Sequence, residues 1–560
     1  MRKYLLPSVI MFVFVFSVAL APGAFAQEQK TLAEKLLDIM RANHQITEAQ
    51  YKELKEEAAK EKADAVGQAA QTQAAAAQAA QAAQAAQAAK VAAAPVERKP
   101  SDFRAYWNNG LRFTTDDKAF DVHIGGRIQA DVVDAEPNDA LMKWSQGKYK
   151  AGFSQSKTDG YGDQLRRVRL AIDGTLWRNI EFISQIDFAP SYTRTTVLTP
   201  PATKPGTASI TSGPAVTYAD VWVGVKDIPY IGRIRVGQMY EPISIEQMST
   251  DNFNTFMEKG LPVNALIPGR QFGFTALNTA FDNRLGWMAG YFFQQQAATS
   301  SNGVAQDTTG DLFSPHMDAT QFAARITGLP WYENRGEHLL HLGVGYSHEF
   351  RSTSPLSNNP GTLDFKSSPE ANLFSPLVDT GAFLAKGVDI VDPEIALVYG
   401  PFSVQAEYIM ASVNDIATPS GTHFAGATSR DANFDGWYAY ASYFITGEHR
   451  PYNMTASPTD YQATFGRIIP NSNFNPLTGG CGAWEAAFRV SQLNTNNTSA
   501  AFYGGNQTDY TFAINWYLNP NVMVKMNYIY ANVGSHPLGY GNLPTTGNDN
   551  IFETRFQIAF

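Results

Sequence analysis

From residue 103 onward the chain is patterned with a period of two, in runs long enough to cross a bilayer. Val122, Ile124, Ile128 and Ala130 share one face, and His123, Arg127, Gln129 and Asp131 share the other. Tyr510, Phe512, Ile514, Trp516 and Leu518 alternate with Thr511, Ala513, Asn515 and Tyr517, and Val522, Val524, Met526, Tyr528 and Tyr530 oppose Lys525 and Asn527. Each run is about ten residues, the length of a tilted transmembrane strand, whereas strands of soluble sandwiches are nearer five or six. After residue 26 no stretch is apolar for long enough to make a transmembrane helix. The 25 Tyr, 35 Phe, 9 Trp and 44 Gly suit strands and turns.

The connections point the same way. Sixteen strands are predicted, over 120–131, 164–176, 180–188, 218–226, 233–240, 271–281, 285–296, 321–329, 338–350, 388–399, 402–412, 433–446, 482–493, 507–518, 522–532 and 550–560. Very short gaps (Trp177-Arg178-Asn179, Asp282-Asn283-Arg284, Gly400-Pro401, Asn519-Pro520-Asn521) mostly alternate with long ones such as 132–163, 241–270 and 351–387. Short periplasmic turns and long outer loops characterise outer-membrane barrels. One gap, 447–481, falls on the short-turn side yet is long, so either a hairpin is miscounted there or the turn carries an insertion. Phe556, Ile558 and Phe560 alternate to the last residue, which is similar to the terminal signal that barrel-assembly machinery reads. The expected fold is therefore all-β: a 16-stranded antiparallel transmembrane barrel over 103–560.

Ahead of the barrel three segments are expected. Residues 1–26 read as a cleavable signal peptide: Arg2 and Lys3, a short apolar run, then Ala24-Phe25-Ala26. Residues 27–66 carry Leu32, Leu36, Ile39, Ile46 and Leu54 at helical steps, and Thr47-Glu48-Ala49-Gln50 has capping-box spacing for a second helix start. Residues 67–102 are an Ala/Gln-rich spacer and a linker with Pro95 and Pro100. A continuous helix over these segments would reach on the order of 90 Å. Either a trimeric coiled coil in the periplasm or a frayed tether fits the pattern. Cys481, the one cysteine, cannot form an internal disulfide, and no CxxC or CxxCH motif accompanies it.

Several stretches resemble the family of phosphate-selective porins O and P. They are Ile124-Gly125-Gly126-Arg127-Ile128-Gln129-Ala130-Asp131, Arg166-Arg167-Val168-Arg169-Leu170, Phe256-Met257-Glu258-Lys259-Gly260-Leu261-Pro262, and Ile267-Pro268-Gly269-Arg270. Further on come Thr446-Gly447-Glu448-His449-Arg450-Pro451-Tyr452, Gly482-Ala483-Trp484-Glu485 and Asn515-Trp516-Tyr517-Leu518-Asn519-Pro520. They follow the family's order across 124–520. The resemblance implies a homotrimer of 16-stranded barrels in outer-membrane lipid, each with its own pore passing anions by diffusion, with arginines at the constriction. It does not extend to residues 27–100.

Strand parity assigns the lumen. If apolar residues face lipid, Arg127, Arg167, Arg169, Asp187 and Asp220 face inward, and Arg166 joins them only if a bulge turns it. The third long loop, 241–270, which folds inward in trimeric porins, holds Glu246, Glu258, Lys259 and Arg270. A guanidinium keeps its charge and grips phosphate through paired hydrogen bonds, so Arg127, Arg166 and Arg167 are candidate anion contacts; the competing reading pairs them with wall carboxylates. Residues 101–560 carry 31 Lys and Arg against 42 Asp and Glu, a net −11, and Lys525 is the only lysine after residue 400. That balance also suits a general, weakly cation-selective porin. The N-terminal helix adds a third reading, a tether to peptidoglycan. No GxSxG, HExxH or P-loop sequence is present, and His338 and His341 fall on opposite strand faces, so no enzyme, cofactor, metal or nucleic-acid partner is expected.

Overall fold

The computed structural model describes residues 32–43, 47–57, 59–60, 104–143, 160–189, 216–293, 319–351, 363–374, 376–418, 424–535 and 546–560. The chain divides into two units, Met1–Lys99 and Pro100–Phe560. The expected signal peptide (1–26) and spacer (67–102) lie outside the described residues.

In the first unit a helix over Leu32–Ala42 is followed by one over residues 48–57. The second begins at the predicted capping box: Thr47 N donates to Gln50 Oε1 at 3.0 Å, and Gln50 N to Thr47 Oγ1 at 3.4 Å. The helices are joined by Tyr51 Oη donating to Asp38 Oδ1 at 2.6 Å and by Arg41, which pairs with Glu48 and sits 4.7 Å over the Tyr51 ring. Leu36, Ile39 and Leu54 stay exposed, so the apolar stripe is not covered within the described residues of this unit.

The second unit opens with a hairpin, β1 (Arg104–Trp107) and β2 (Leu111–Thr114). The barrel starts with β3 (Phe120–Pro137), β4 (Gly160–Leu176), β5 (Ile180–Asp187), β6 (Thr217–Ile228), β7 (Gly232–Tyr240) and β8 (Arg270–Ala280). It continues through β9 (Leu285–Phe293), β10 (Ala319–Glu333) and β11 (His338–Arg351). A small loop hairpin, β12 (Lys366–Ser367) and β13 (Val378–Asp379), precedes β14 (Gly387–Tyr399), β15 (Phe402–Asn414) and β16 (Ala432–Phe444). A second, β17 (Tyr452–Asn453) and β18 (Thr464–Phe465), precedes β19 (Ala483–Asn497), β20 (Phe502–Asn519), β21 (Val522–Ser535) and β22 (Gly547–Ala559). Apart from the two hairpins, each strand from β3 on pairs antiparallel with the next, and β22 pairs with β3 from Ala559↔Arg127 to Asp549↔Pro137. Sixteen strands thus close on themselves, and among the described residues each of the sixteen has a ladder partner on both sides.

Side chains alternate across this wall as the sequence pattern demands. Ile128, Ile326 and Ile514 are about half exposed on the outer face, while their neighbours Gln129, Arg325 and Asn515 are buried inside. The strands run further than the apolar pattern foretold. β3 continues to Pro137 rather than stopping at 131, and β19 and β20 leave only Thr498–Ala501 between them. The extra residues, such as Asp134, Glu136, Asn494 and Asn496, carry no lipid-facing period. The backbone ladder continues above the membrane after the hydrophobic signal has ended.

The long gap after β16 is an insertion and not a miscounted hairpin. Residues 445–482 fold into the barrel from the short-turn end around β17 and β18. Arg325 on β10 donates to the carbonyls of Gln462 and Ala463, each at 3.0 Å, and Arg235 on β7 donates to Ser457 O at 2.9 Å. Tyr461 Oη accepts from Tyr240 N at 2.9 Å and donates to Asp220. The hairpin β1–β2 occupies the part of β3 that β22 does not reach: Leu111↔Ile124 to Thr114↔Asp121. There the backbone passes close, and a Cβ on Gly125 would lie 2.5 Å from the Phe560 carbonyl oxygen, one on Gly126 2.6 Å from that of Arg169. The Gly125-Gly126 pair is a close-packing device.

Placing a charge on the outer face tests the orientation of the wall. Ile326→Arg, midway along β10, is expected to lower the folding free energy by about 2–4 kcal/mol in lipid vesicles. Urea titration measures it; a neutral effect would mean that this face does not meet hydrocarbon.

Candidate functional site

Loop 241–269, between β7 and β8, lies inside the barrel because its two sides are chemically different. One side is apolar. Ile243, Phe256, Leu261, Val263 and Leu266 are buried in one cluster with Phe434, Tyr438 and Tyr440 of β16. Two short turns shape it: Ile245–Met248, where Ser244 caps by accepting from Gln247 N, and Leu261–Leu266, with Pro262 in its first turn. Glu246 staples them together, accepting from Gly260 N at 2.9 Å and pairing with Arg489 at 3.1 Å.

The other side is charged and meets β3, β4 and β22. Asp251 Oδ2 lies 3.1 Å from Arg167 Nε, 3.6 Å from Arg127 Nη1 and 3.7 Å from Arg169 Nη1. Arg169 also holds Asp187 at 2.6 Å, and Arg167 donates to Gln129 Oε1 at 2.8 Å. Glu258 takes a two-pronged grip from Arg166, 2.8 and 3.1 Å, and a further contact from Arg555 at 2.7 Å. Arg555 is itself forked onto Asp131 at 2.7 and 2.8 Å. In the Asp251 group three guanidiniums share two carboxylates, so one positive charge is left over. Arg127 Nη1 and Arg167 Nε are buried without a hydrogen-bond acceptor in good geometry. Burial pushes the Asp251 carboxyl up, yet Arg167, Lys259, Arg169 and Arg127 together hold it well below the usual carboxylate range. Glu258 behaves alike: burial opposes, and Arg166, Arg555 and Arg167 prevail. Both loop carboxylates are ionised at physiological pH.

Each residue singled out in the sequence has a definite place. Arg127, Arg166, Arg167, Arg169 and Asp187 come together in this belt. Arg166 sits at a bulge: Gln129 pairs with Arg167 and Ala130 with Leu165, so Arg166 has no partner across the ladder and its side chain turns to the loop. Arg270 and Asp220 form a second pair nearby, 2.8 and 3.0 Å, with Arg270 stacked 3.9 Å over Tyr240. Lys259 donates to Gln247 Oε1 at 2.6 Å under the Tyr240 ring, and acts on Asp251 through its charge and not through an ion pair. Two members were missed. Arg555 was legible, since Phe556 and Ile558 face out and place it inward. Asp251 was not, because no strand parity applies within a loop.

The belt separates two cavities. A space of about 370 Å³ is lined by Arg127, Asp251, Arg270, Tyr240, Tyr461 and Phe560 among others. A smaller one of about 60 Å³ is lined by Arg166, Glu258, Lys366 and Glu370. The arginine row is therefore presented on both sides of the loop-to-wall contact.

Comparison with known proteins finds relatives over the barrel region. The profile of the family described as phosphate-selective porin O and P matches residues 122–560. Porin O of Pseudomonas aeruginosa is 21% identical over 489 residues, 84% of this chain and 95% of that protein. An uncharacterized protein of Caulobacter vibrioides is 23% identical over 485 residues, 86% of this chain and 83% of that one. Among solved structures, an anion-selective porin from Comamonas acidovorans aligns at 10% identity with a TM-score of 0.40, covering 78% of this chain and 99% of that one. The Acinetobacter baumannii outer-membrane channel DcaP aligns at 9% identity and 0.39, covering 80% and 99%. Neither the barrel nor its family is enzymatic. The chain belongs to the phosphate-selective porin O and P family of outer-membrane channels.

Proposed function

We propose that this porin passes small hydrophilic anions by diffusion, with phosphate the preferred solute, and that Arg127, Arg166, Arg167 and Arg169 are its contact groups. The observation that carries the reading is the belt itself. The carboxylates of Asp251 and Glu258 hold the positions a travelling oxyanion would take, and the Asp251 group keeps a surplus positive charge. A dianion entering from either cavity exchanges with a carboxylate already there, so its desolvation is compensated by guanidiniums fixed in place. Arg270, Lys259, Asp187 and Asp220 line or brace the same passage.

A second reading rests on the opposite charge. The lumen also buries Glu241, Glu394, Glu407, Asp392, Glu485 and Glu553. With a net −11 over residues 101–560, these favour a general, weakly cation-selective porin. In either case we infer a cleaved signal peptide, a homotrimer, and an N-terminal helical segment in the periplasm. The open stripe of Leu36, Ile39 and Leu54 supports a partner for that segment, either its copies in a trimer or the peptidoglycan layer.

Reversal potential across a planar bilayer under a KCl gradient decides between the readings. The anion reading expects chloride to carry the current, low phosphate to block it, and Arg127→Gln with Arg167→Gln to abolish the block. A potassium current indifferent to phosphate would establish the general porin. The pH dependence has a definite sign. Asp251 and Glu258 have folded pKa values below their unfolded values of about 3.9 and 4.3, so their clamping contribution is fully present above those values and lost as pH falls further. Conductance and selectivity of the folded pore follow the folded values, so they are expected to stay flat from about pH 8 down to about pH 4 and to change only well below that. A midpoint near pH 6 would show that other groups govern the passage.

A further inference from the structure

The wall opposite the arginine row holds three carboxylates that the anion belt does not use. Glu394 on β14 faces Glu407 on β15 directly in register, and Asp392 lies two residues along the same inner face. All three are buried, at 4%, 2% and 0% exposure, and their nearest oxygens lie within 4.8 Å of one another. Like charges directly opposed on neighbouring strands destabilise a sheet unless something positive lies between them.

The available protein cations do not fill that role. Arg325 and His341 both engage the same oxygen, Glu394 Oε1, at 2.7 and 3.0 Å. Glu407 is satisfied by neutral donors: Glu246 N at 2.8 Å, the Tyr438 hydroxyl at 2.9 Å and the Ser244 hydroxyl at 2.5 Å. What remains is specific. Both oxygens of Asp392, and Oε2 of Glu394, are buried with no N–H or hydroxyl donor, and the group within hydrogen-bond reach of Asp392 is another carboxyl, that of Glu407. A fully desolvated carboxylate with no donor is costly, and Asp392 sits where the other two converge. Arg325 supplies one permanent positive charge against three carboxylates, which leaves the charge that a single divalent cation neutralises.

We propose that Asp392, Glu394 and Glu407 form a binding site for a hard divalent cation of calcium size. The oxygens fit that ion. A span of up to 4.8 Å lies within twice the calcium–oxygen distance of about 2.3–2.6 Å, and hard cations prefer carboxylate oxygen. The site has a mechanical consequence, because Glu407 is also the residue that holds Ser244 and the Glu246 amide at the start of the inward loop. A cation there pins the root of the loop to β14 and β15, while the arginine belt holds its far side. It also removes negative charge from the wall that faces the passage.

The test uses the full chain refolded in detergent without lipopolysaccharide, stripped with EDTA, dialysed, and titrated with calcium chloride by calorimetry. One saturable site is expected, at least tenfold weaker in Asp392→Asn and unchanged in Asp134→Asn, a carboxylate far from the cluster. No saturable uptake at neutral pH would overturn the proposal and leave the three carboxylates sharing protons. Uptake undiminished in Asp392→Asn would overturn it too, by placing the ion elsewhere. Should Asp392→Asn not reach the folded barrel, crystals of the unaltered protein grown with strontium give the same decision: an anomalous peak among the three carboxylates supports the site, and its absence there refutes it.

Discussion

Hydrocarbon offers no partner to a peptide group, and this constraint organises everything in residues 120–560. Every strand must find two neighbours, so β22 returns to β3 and the ring closes. Closure fixes an inside and an outside, and a two-residue period then assigns each side chain to lipid or lumen. Charged groups that would be intolerable on the outer face are gathered inside. The arginine row exists because β3 and β4 each present inward positions at matching heights, Arg127 opposite Arg169 and Gln129 opposite Arg167.

The lumen is filled by segments that carry no transmembrane period. Loop 241–269 enters from the long-loop end and residues 445–482 from the other, and they meet where Arg467 lies 5.2 Å over the Phe253 ring. Apolar residues of the loop pack against β14–β16 and β19, and those of 445–482 against β10, β11 and β14; Asp251 and Glu258 of the loop meet the arginine belt, while Arg235 and Arg325 hold backbone carbonyls of 445–482. The barrel interior is thus two opposed chemical environments, an arginine belt on one side and a carboxylate cluster on the other, with one loop bound to both. Asp251 and Glu258 bind it to the first, and Ser244 and Glu246 to the second.

Much of this was legible because lipid enforces a strict rule. The alternation of Val122, Ile124 and Ile128 located β3, and parity placed Arg127, Arg167 and Arg169 inside. Even Arg166 was readable as a conditional, since its wrong parity beside two correctly placed arginines demanded a bulge. Legibility failed where lipid stops acting. The upper ends of β3, β19 and β20 carry hydrogen bonds but no outward apolar period, and Val133 and Ala135 of β3 are buried inside instead. The hairpin β1–β2 is too short for a period to show. The partners of Asp251 depend on a folded loop, and those of Glu394 on Arg325 and His341, 69 and 53 residues away on other strands, which one-dimensional spacing does not encode.

The central claim is that the guanidiniums around Asp251 are where a passing oxyanion rests. Anomalous diffraction from crystals grown in arsenate, a phosphate-shaped anion, tests it most directly. The account predicts a peak in contact with Arg127 and Arg167, beside or in place of the Asp251 carboxylate. A lumen with no arsenate at the arginine row, or one in which rubidium occupies that position instead, would contradict it.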